Sequence, residues 1–308
     1  MSAAIYVLGE ALMDCLAQPD GSLRPLMGGS PFNMARAAAL RGAEVHYTNP
    51  FSTDAFGQRM AAQLQHDGVH TLSAPSRLPT SLAVVQIDNG QPSYGFYREG
   101  IADRDYTPAR MLALLEGLPP GIFHTGSLLL VPPEHHKTLE ILKALKARGW
   151  TISVDANLRP KLADDLPAYV DAVRQVLALA DWLKASDEDL EWLGYAHPSR
   201  SSAPALAAQL AAPGARRIAL TFGAQGAWLS VDGQQAQADV PQVQVADTVG
   251  AGDTFWGNCV ADWAMTPANA ADRVASTLQS AMRAAAINCT RQGCQPPTRA
   301  ELSAFGGS

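Results

Sequence analysis

The sequence predicts an α/β protein built on a mostly parallel sheet with helices on both faces. Three observations predict it. Short apolar strand patterns alternate with helical patterns along most of the chain. The helical patterns are long enough to serve as the crossovers that parallel neighbours require, and such crossovers are right-handed. Hydrophobic residues make up 47% of the 308 residues and charged residues only 17%, which is material for a core on both sides of such a sheet.

The elements follow in order. Ile5 to Gly9 is a short apolar strand ending in glycine. Ser30 reads as a helix cap and Pro31 as the first helical residue, with the pattern running to Arg41 before Gly42 stops it. Val45 to Thr48 is a strand, and Asp54 to Asp67 a helix closed by Gly68. The pattern then changes. Ser81 to Ile87 and Ser93 to Tyr97 read as two strands of a hairpin turning at Asp88-Asn89-Gly90-Gln91. Alternation resumes with a strand at Ile122 to His124 and an amphipathic helix from Pro133 to Arg148, ended by Gly149. A strand at Thr151 to Val154, a helix at Pro167 to Leu179, a strand at Trp182 to Lys184 and a short helix at Ser186 to Leu193 come next. Ile218 to Thr221 and Trp228 to Val231 are strands on either side of a glycine turn. Two long helices close the chain, Ala251 to Ala264 and Asp272 to Asn288.

Composition excludes several classes. The net charge is −6 and no Lys/Arg-rich run stands out, so no basic field exists to recruit nucleic acid. Any anionic ligand needs a local device. Four cysteines, Cys15, Cys259, Cys289 and Cys294, are too few for a disulfide scaffold and lack C-x-x-C spacing, which fits buried thiols in a reducing compartment. Glu10 and Asp14 stand where a signal peptide would be apolar, and no apolar run reaches the roughly 18 residues of a membrane span. The expectation is a soluble, cytoplasmic protein with no membrane partner.

The strongest local signal is Asp247-Thr248-Val249-Gly250-Ala251-Gly252-Asp253-Thr254-Phe255, which opens a predicted helix. Gly250 and Gly252 leave backbone N–H groups unshielded where the helix dipole is positive, which makes an anion site. Asp253 beside a bound phosphate would repel it, unless the carboxylate takes a proton from a hydroxyl attacking the phosphorus. Taken alone, the segment reads equally as an acidic cap after a glycine turn. Gly28-Gly29-Ser30-Pro31-Phe32-Asn33 allows close backbone approach to a ligand, with Asn33 offering donor and acceptor, although an ordinary capped turn looks the same. Asp14 could accept from vicinal hydroxyls, and as a lone loop acid it could equally be solvated. Asp155-Ala156-Asn157-Leu158-Arg159 follows a strand, at the end where α/β sheets bind ligands. No Walker A loop, G-x-G-x-x-G after the first strand, H-E-x-x-H or G-x-S-x-G is present. Glu134-His135-His136 lacks metal-helix spacing and reads as surface.

Together these segments resemble the ribokinase-like carbohydrate kinases, the PfkB family, and among them the bacterial fructokinases. The resemblance covers nearly the whole chain. Gly9-Glu10-Ala11-Leu12-Met13-Asp14 is similar to the family's first-strand sugar motif, Gly28-Gly29 through Asn33 to its N-terminal signature, and Asp247 through Asp253 to its D-T-x-G-A-G-D signature. Phe96-Tyr97-Arg98 with Ala102-Asp103, and Phe123-His124-Thr125-Gly126-Ser127, also match fructokinases.

The resemblance implies a three-layer αβα sandwich with a mostly parallel central sheet, as one domain over residues 1–308. A small β-sheet lid would be inserted at about 11–27 and 80–103. It implies ATP-dependent phosphorylation of the primary hydroxyl of a ketohexose, D-fructose first, by a fructokinase-type phosphotransferase with an alcohol group as acceptor. Sugar would touch Asp14, Gly28, Gly29, Asn33, Arg98 and Arg159. ATP would lie near Lys184, Ser186, Thr221, Gly223, Gly226 and Asn288. Asp253 would be the base, with Gly250, Ala251 and Gly252 lining the anion hole. Mg²⁺ would be met through water by Asp189, and K⁺ would sit at Asp247 near Gly293. The family's Asn-x-x-Glu motif stands here as Ser186-Asp187-Glu188-Asp189, so Glu188 is a second candidate. Ala156 stands where many members of that family carry proline or another residue. A homodimer through the lid is expected. The alternatives are a 2-keto-3-deoxygluconate kinase, which shares every motif except detail around Arg98 and Arg159, and a sugar- or nucleotide-binding regulator without catalysis.

Overall fold

In the computed structural model, which describes residues 2–88, 91–210, 214–268 and 270–305, the chain starts with β1 (Ile5–Val7), then forms the strands β2 (Leu12–Ala17) and β3 (Leu23–Gly28) and helix α1 (Ser30–Arg41). β4 (Val45–Tyr47), α2 (Ala55–His66) and β5 (Val69–Thr71) follow, then β6 (Ser81–Asp88) and β7 (Gln91–Tyr97). The middle of the chain carries α3 (Pro108–Leu114), β8 (Ile122–Gly126), α4 (His135–Ala147), β9 (Thr151–Asp155), α5 (Leu166–Leu177), β10 (Trp182–Ser186), α6 (Asp187–Trp192) and α7 (Ala203–Leu210). The last part comprises β11 (Arg217–Thr221), β12 (Ala227–Val231), β13 (Gln234–Ala238), α8 (Ala251–Met265), α9 (Val274–Cys289) and α10 (Arg299–Ala304).

Nine strands form one sheet in the order β13-β12-β11-β10-β9-β8-β1-β4-β5. Pairing is parallel from β5 to β11 and antiparallel at the β12–β13 edge. One apolar cluster packs α1, α2, α8 and α9 on one face through Phe32, Met60, Trp256 and Leu278. A second packs α4, α5 and α7 on the other through Leu142, Val173 and Leu206. Three layers result, as expected of a parallel sheet that must be covered twice. The remaining four strands form a smaller sheet in the order β3-β2-β6-β7. Because opposite residues share a face, the pairs Asp14↔Leu26, Asp14↔Ala83 and Ala83↔Phe96 put these four side chains on one side of it.

The structure departs from the sequence reading in identifiable places. Ser30 is the first residue of α1 rather than its cap; Gly29 occupies the cap position and has no side chain to bond the helix. The edge strand β13, Gln-Gln-Ala-Gln-Ala, is largely exposed and carries no apolar alternation, so no pattern announces it. β5 buries only Val69 of its three residues. Glu134 and His135 are buried rather than on the surface, with Glu134 paired to Arg104 and Lys137 at 2.8 Å each. Asn89 and Gly90 of the expected hairpin turn lie outside the described residues, while their flanking strands pair as expected. Among the described residues no helix is long and apolar enough to cross a membrane. All four cysteines are free thiols, three of them buried.

Candidate active site

The carboxyl ends of β1, β8, β9, β10 and β11 lie along one edge of the large sheet. The chain leaves β1 toward β4 on one side and leaves β8 toward β9 on the other, so a topological switch point lies between β1 and β8. A cleft of about 1230 Å³ opens above this edge, with Leu12, Asp14, Leu16 and Phe96 of the small sheet on its opposite wall.

At the centre stands Asp253 in the first turn of α8, 8% exposed. The Ser30 hydroxyl donates to its Oδ1 at 2.7 Å and the Asn33 amide to its Oδ2 at 2.9 Å. Both partners come from the first turns of α1, which packs against α8 through small residues. A Cβ on Gly257 would fall 2.8 Å from the Ala37 methyl. Burial raises the Asp253 carboxyl above the usual range, against the pull of the Asn33 and Ser30 bonds and of Lys184 and Arg159. Gly250 caps α8 in the left-handed region at φ 73°, where a Cβ would meet the Cys294 sulfur at 2.2 Å. The Ala251 N–H turns back to the Thr248 carbonyl at 3.2 Å. Gly252 keeps its N–H without an acceptor among the described residues, and a Cβ there would stand 3.3 Å from Lys184 Nζ. The Lys184 ammonium therefore lies against the Gly252 backbone, next to Asp253. Of the expected anion-hole donors, Ala251 is bonded back to Thr248, while Gly250 and Gly252 have no acceptor among the described residues.

Lys184 is buried and bonded to both oxygens of Asp155 at 2.9 Å. Burial pulls its ammonium down, but the carboxylates of Asp155, Asp189 and Asp253 more than offset this and keep it charged.

Residues expected to meet sugar divide into two groups. Asp14, Gly29, Asn33 and Arg159 line the cleft. Burial pushes the Asp14 carboxyl up to about 6, with Arg159 pulling it down and Asp253 pushing it further. Gly28 makes room for it, since a Cβ there would be 2.2 Å from Asp14 Oδ2. Gly29, at φ 107°, lies so close to the Glu10 carbonyl that a Cβ would be 2.4 Å away. Arg159 bonds the Asn157 and Leu158 carbonyls of its own loop at 3.3 and 2.9 Å. Arg98 stands apart from the lining. Its Nη1 donates to Ser81 Oγ at 3.1 Å and Asp103 Oδ2 at 3.2 Å.

Residues expected to meet nucleotide divide likewise. Ser186, Thr221, Gly223 and Gly226 line the cleft at the ends of β10 and β11, beside the apolar side chains of Val243, Val245, Val249 and Met282. Asn288 does not; it is buried, donating to the Val249 carbonyl at 2.8 Å and accepting from the Gln295 N–H at 2.8 Å. It ties the segment before α8 to the segment after α9. Asp189 reaches the cleft, but Leu158 N–H, Ser186 N–H and Ser186 Oγ already donate to its carboxylate at 2.7–2.8 Å. Its shorter side chain closes a capping box on α6. Glu188 is exposed at the cleft wall. Asp247 accepts from Val249 N–H at 3.0 Å and Gly293 N–H at 2.9 Å, which confirms its nearness to Gly293. No group of three or more metal-ligating side chains forms among the described residues.

Sequence reasoning missed three contributors. Ser30 was visible only as a cap, and Asp155 only as a strand-end acid. Glu10 was quoted within a motif without a role, yet it is buried in the cleft floor and burial pushes it up to about 7, against Arg98 and Arg159. A charged residue directly after the apolar run of Ile5 to Gly9 was its only signal.

This architecture defines an α/β protein with a ligand cleft at its sheet edge and a buried carboxylate at a helix start that suits an anion. The profile of the pfkB family carbohydrate kinase matches residues 2–301, and the chain belongs to that family of sugar kinases. It is 32% identical over 284 residues to a fructokinase of Rhizobium leguminosarum bv. trifolii, covering 91% of this chain and 85% of the relative. It is 30% identical to a fructokinase of Vibrio alginolyticus, covering 98% and 99%. Among solved structures it is similar to the fructokinase of Xylella fastidiosa with bound ATP, at 26% identity and a TM-score of 0.82, covering 99% and 98% of the two chains.

Proposed function

We propose that this sugar kinase is a fructokinase, transferring the γ-phosphoryl group of ATP to the primary hydroxyl of D-fructose. The observation that carries the reading is the buried Asp253 carboxylate beside the open Gly252 N–H and the Lys184 ammonium. A carboxylate so placed is unfavourable for a mere phosphate binder and useful to an enzyme that must remove a proton beside phosphorus. Fructokinase relatives at about 30% identity support the choice of sugar.

Asp253 takes the proton of the sugar hydroxyl as its oxygen bonds phosphorus and the bond to the leaving ADP breaks. The Gly252 N–H and Lys184 ammonium stabilise the charge on the group in flight. Asp14 accepts from sugar hydroxyls, and Asn33 holds Asp253 toward them. In this reading the small sheet is a lid on a single domain that excludes water while the transfer occurs.

The cleft fits a nucleotide carried with a divalent metal. Its carboxyl groups are Glu10, Asp14, Asp187, Glu188, Asp189, Asp247 and Asp253, against only Arg159, Lys161 and Lys184 as cations. A polyphosphate needs further positive charge there, which Mg²⁺ supplies, with Glu188 the freer carboxylate to meet it through water and Asp189 behind it. K⁺ at Asp247 extends the reading, as does a homodimer through the small sheet, where Leu23 and Tyr97 are 49% and 65% exposed. An ATP-consuming enzyme with four free thiols suits the cytoplasm.

The test is a coupled ADP assay with Mg-ATP against fructose, 2-keto-3-deoxygluconate, ribose, tagatose and adenosine, with and without K⁺. Fructose should give the highest kcat/KM. A preference for 2-keto-3-deoxygluconate would replace fructose, although Arg98, one of the two cations that reading uses, is held by Asp103. No sugar-dependent ADP release would leave the regulator. Sedimentation showing only monomer at micromolar concentration would remove the dimer.

A further inference from the structure

A helix start leaves backbone N–H groups without partners, and a Ser at the cap position ordinarily uses its hydroxyl on one of them. Helix α1 does otherwise. Its cap is Gly29, with no side chain, and Ser30 is displaced one residue into the helix. The Ser30 N–H is instead taken by Glu10 Oε1 at 3.2 Å, a side chain from the segment after β1. The Ser30 hydroxyl donates to Asp253 Oδ1 at 2.7 Å. The two segments are locked together, because Gly29 approaches the Glu10 carbonyl more closely than any other residue could. Glu10 is 1% exposed and its Oε2 has no hydrogen-bond partner, an expensive arrangement for a residue that only fills space.

We propose that Glu10 is a positioning residue, which accepts the first N–H of α1 from outside the helix and so fixes the Ser30 backbone from which the hydroxyl aims Asp253. The inference rests on Asp253 being the base, as proposed above. A carboxylate is well suited to the role, since the positive end of α1 favours it. The charged and titratable groups around Glu10 come from several elements: Arg98 after β7, Arg159 after β9 and Tyr47 on β4, with the Ser127 hydroxyl after β8. What Ser30 requires of Glu10 is an acceptor oxygen rather than a charge. Gln offers that oxygen in the same place, and Met fills the volume without it.

The experiment is a double-mutant cycle read in kcat and in sugar KM, on Glu10→Met, Glu10→Gln, Ser30→Ala and Glu10→Met/Ser30→Ala, with Asp253→Asn alongside and Tm recorded for each. Glu10→Met should lower kcat about tenfold, the effect of one misplaced hydrogen bond. Sugar KM should move by less than about threefold, because Glu10 acts on the base and not on bound sugar. Glu10→Gln should restore kcat. In the Ser30→Ala background Glu10→Met should have little further effect, since the two act through one contact. Additive losses, a change confined to KM, or a Gln variant as slow as Met would each overturn the proposal. Should Glu10→Met fail to fold, Glu10→Asp replaces it, since its shorter side chain withdraws the acceptor. Asp253→Asn separates the two readings. If it keeps full turnover, the base assignment fails; if it is inactive while the Glu10 cycle is additive, only the positioning role fails.

Discussion

The Lys184 ammonium lies 2.9 Å from both carboxylate oxygens of Asp155, its register partner on the neighbouring parallel strand. Both side chains are almost wholly buried, at 4% and 2% exposure. Removing one member of such a pair strands the other charge away from water. Lys184→Met should therefore destabilise the protein by about 3–5 kcal/mol in urea unfolding. Adding Asp155→Asn removes the stranded charge and should recover most of that loss. Turnover should stay low in both variants, because the cation beside Gly252 is gone in each. A double variant as unstable as the single one would show that the pair does not act as a unit.

Asp253→Asn should fold with an unchanged Tm, since an amide can still accept from Ser30 and meet Asn33 in the same volume. Its kcat should fall by about 10²–10⁴-fold, the usual consequence of losing a general base. ATP affinity should hold or rise, as a carboxylate next to phosphate has been neutralised. Unchanged kcat would remove Asp253 from the chemistry.

Much of this was legible from sequence, for a physical reason. Glycines that permit close approach, such as Gly29 and Gly250, and a helix start carrying Asp253 leave marks within a few consecutive residues. The βαβ alternation is equally local, and it specifies the layers. Contacts across the chain leave no such mark. Ser30 meets Asp253 across 223 residues of sequence, so its hydroxyl could be read only as a cap. Arg98 and Asn288 show what local reading leaves out. Both carry groups that suit a ligand, yet tertiary partners, Asp103 for one and Val249 for the other, already occupy them. Asp189, where the motif suggests contact with Mg²⁺ through water, also closes a capping box on α6, a partner that the motif alone does not announce.

Asp14 gives a pH dependence of binding. Its carboxyl titrates at about 6, raised by burial. Above that pH it is ionised and, in the proposed sugar site, both oxygens can accept from hydroxyls; below it, one oxygen carries a proton and stops accepting. Sugar KM should therefore climb by about tenfold for each unit of pH below 6, while Asp14→Asn should have a high KM with no such slope. A wild-type KM that stays flat between pH 7 and pH 5 would show that Asp14 does not hold sugar through its charge.

His124 gives a pH dependence of stability with the opposite origin. It is 1% exposed on β8, its Nδ1 lies 3.0 Å from Ser153 Oγ, and its Nε2 has no partner. Burial, helped by the charge of Lys184, pulls its pKa down to about 3. The unfolded chain takes up this proton as the pH drops through 6.5, whereas the folded chain refuses it until about 3. The unfolded state then binds more protons, so stability is full above 6.5 and is lost as the pH falls toward 3. Between pH 8 and pH 5 this one group should remove about 2 kcal/mol. His124→Asn offers Ser153 either a donor or an acceptor and abolishes the titration. Its unfolding free energy should fall less than that of the wild type over the same interval, by about that amount. Every other titrating group is common to both proteins, so the difference isolates His124, and parallel pH curves would mean that the imidazole is protonated within the fold.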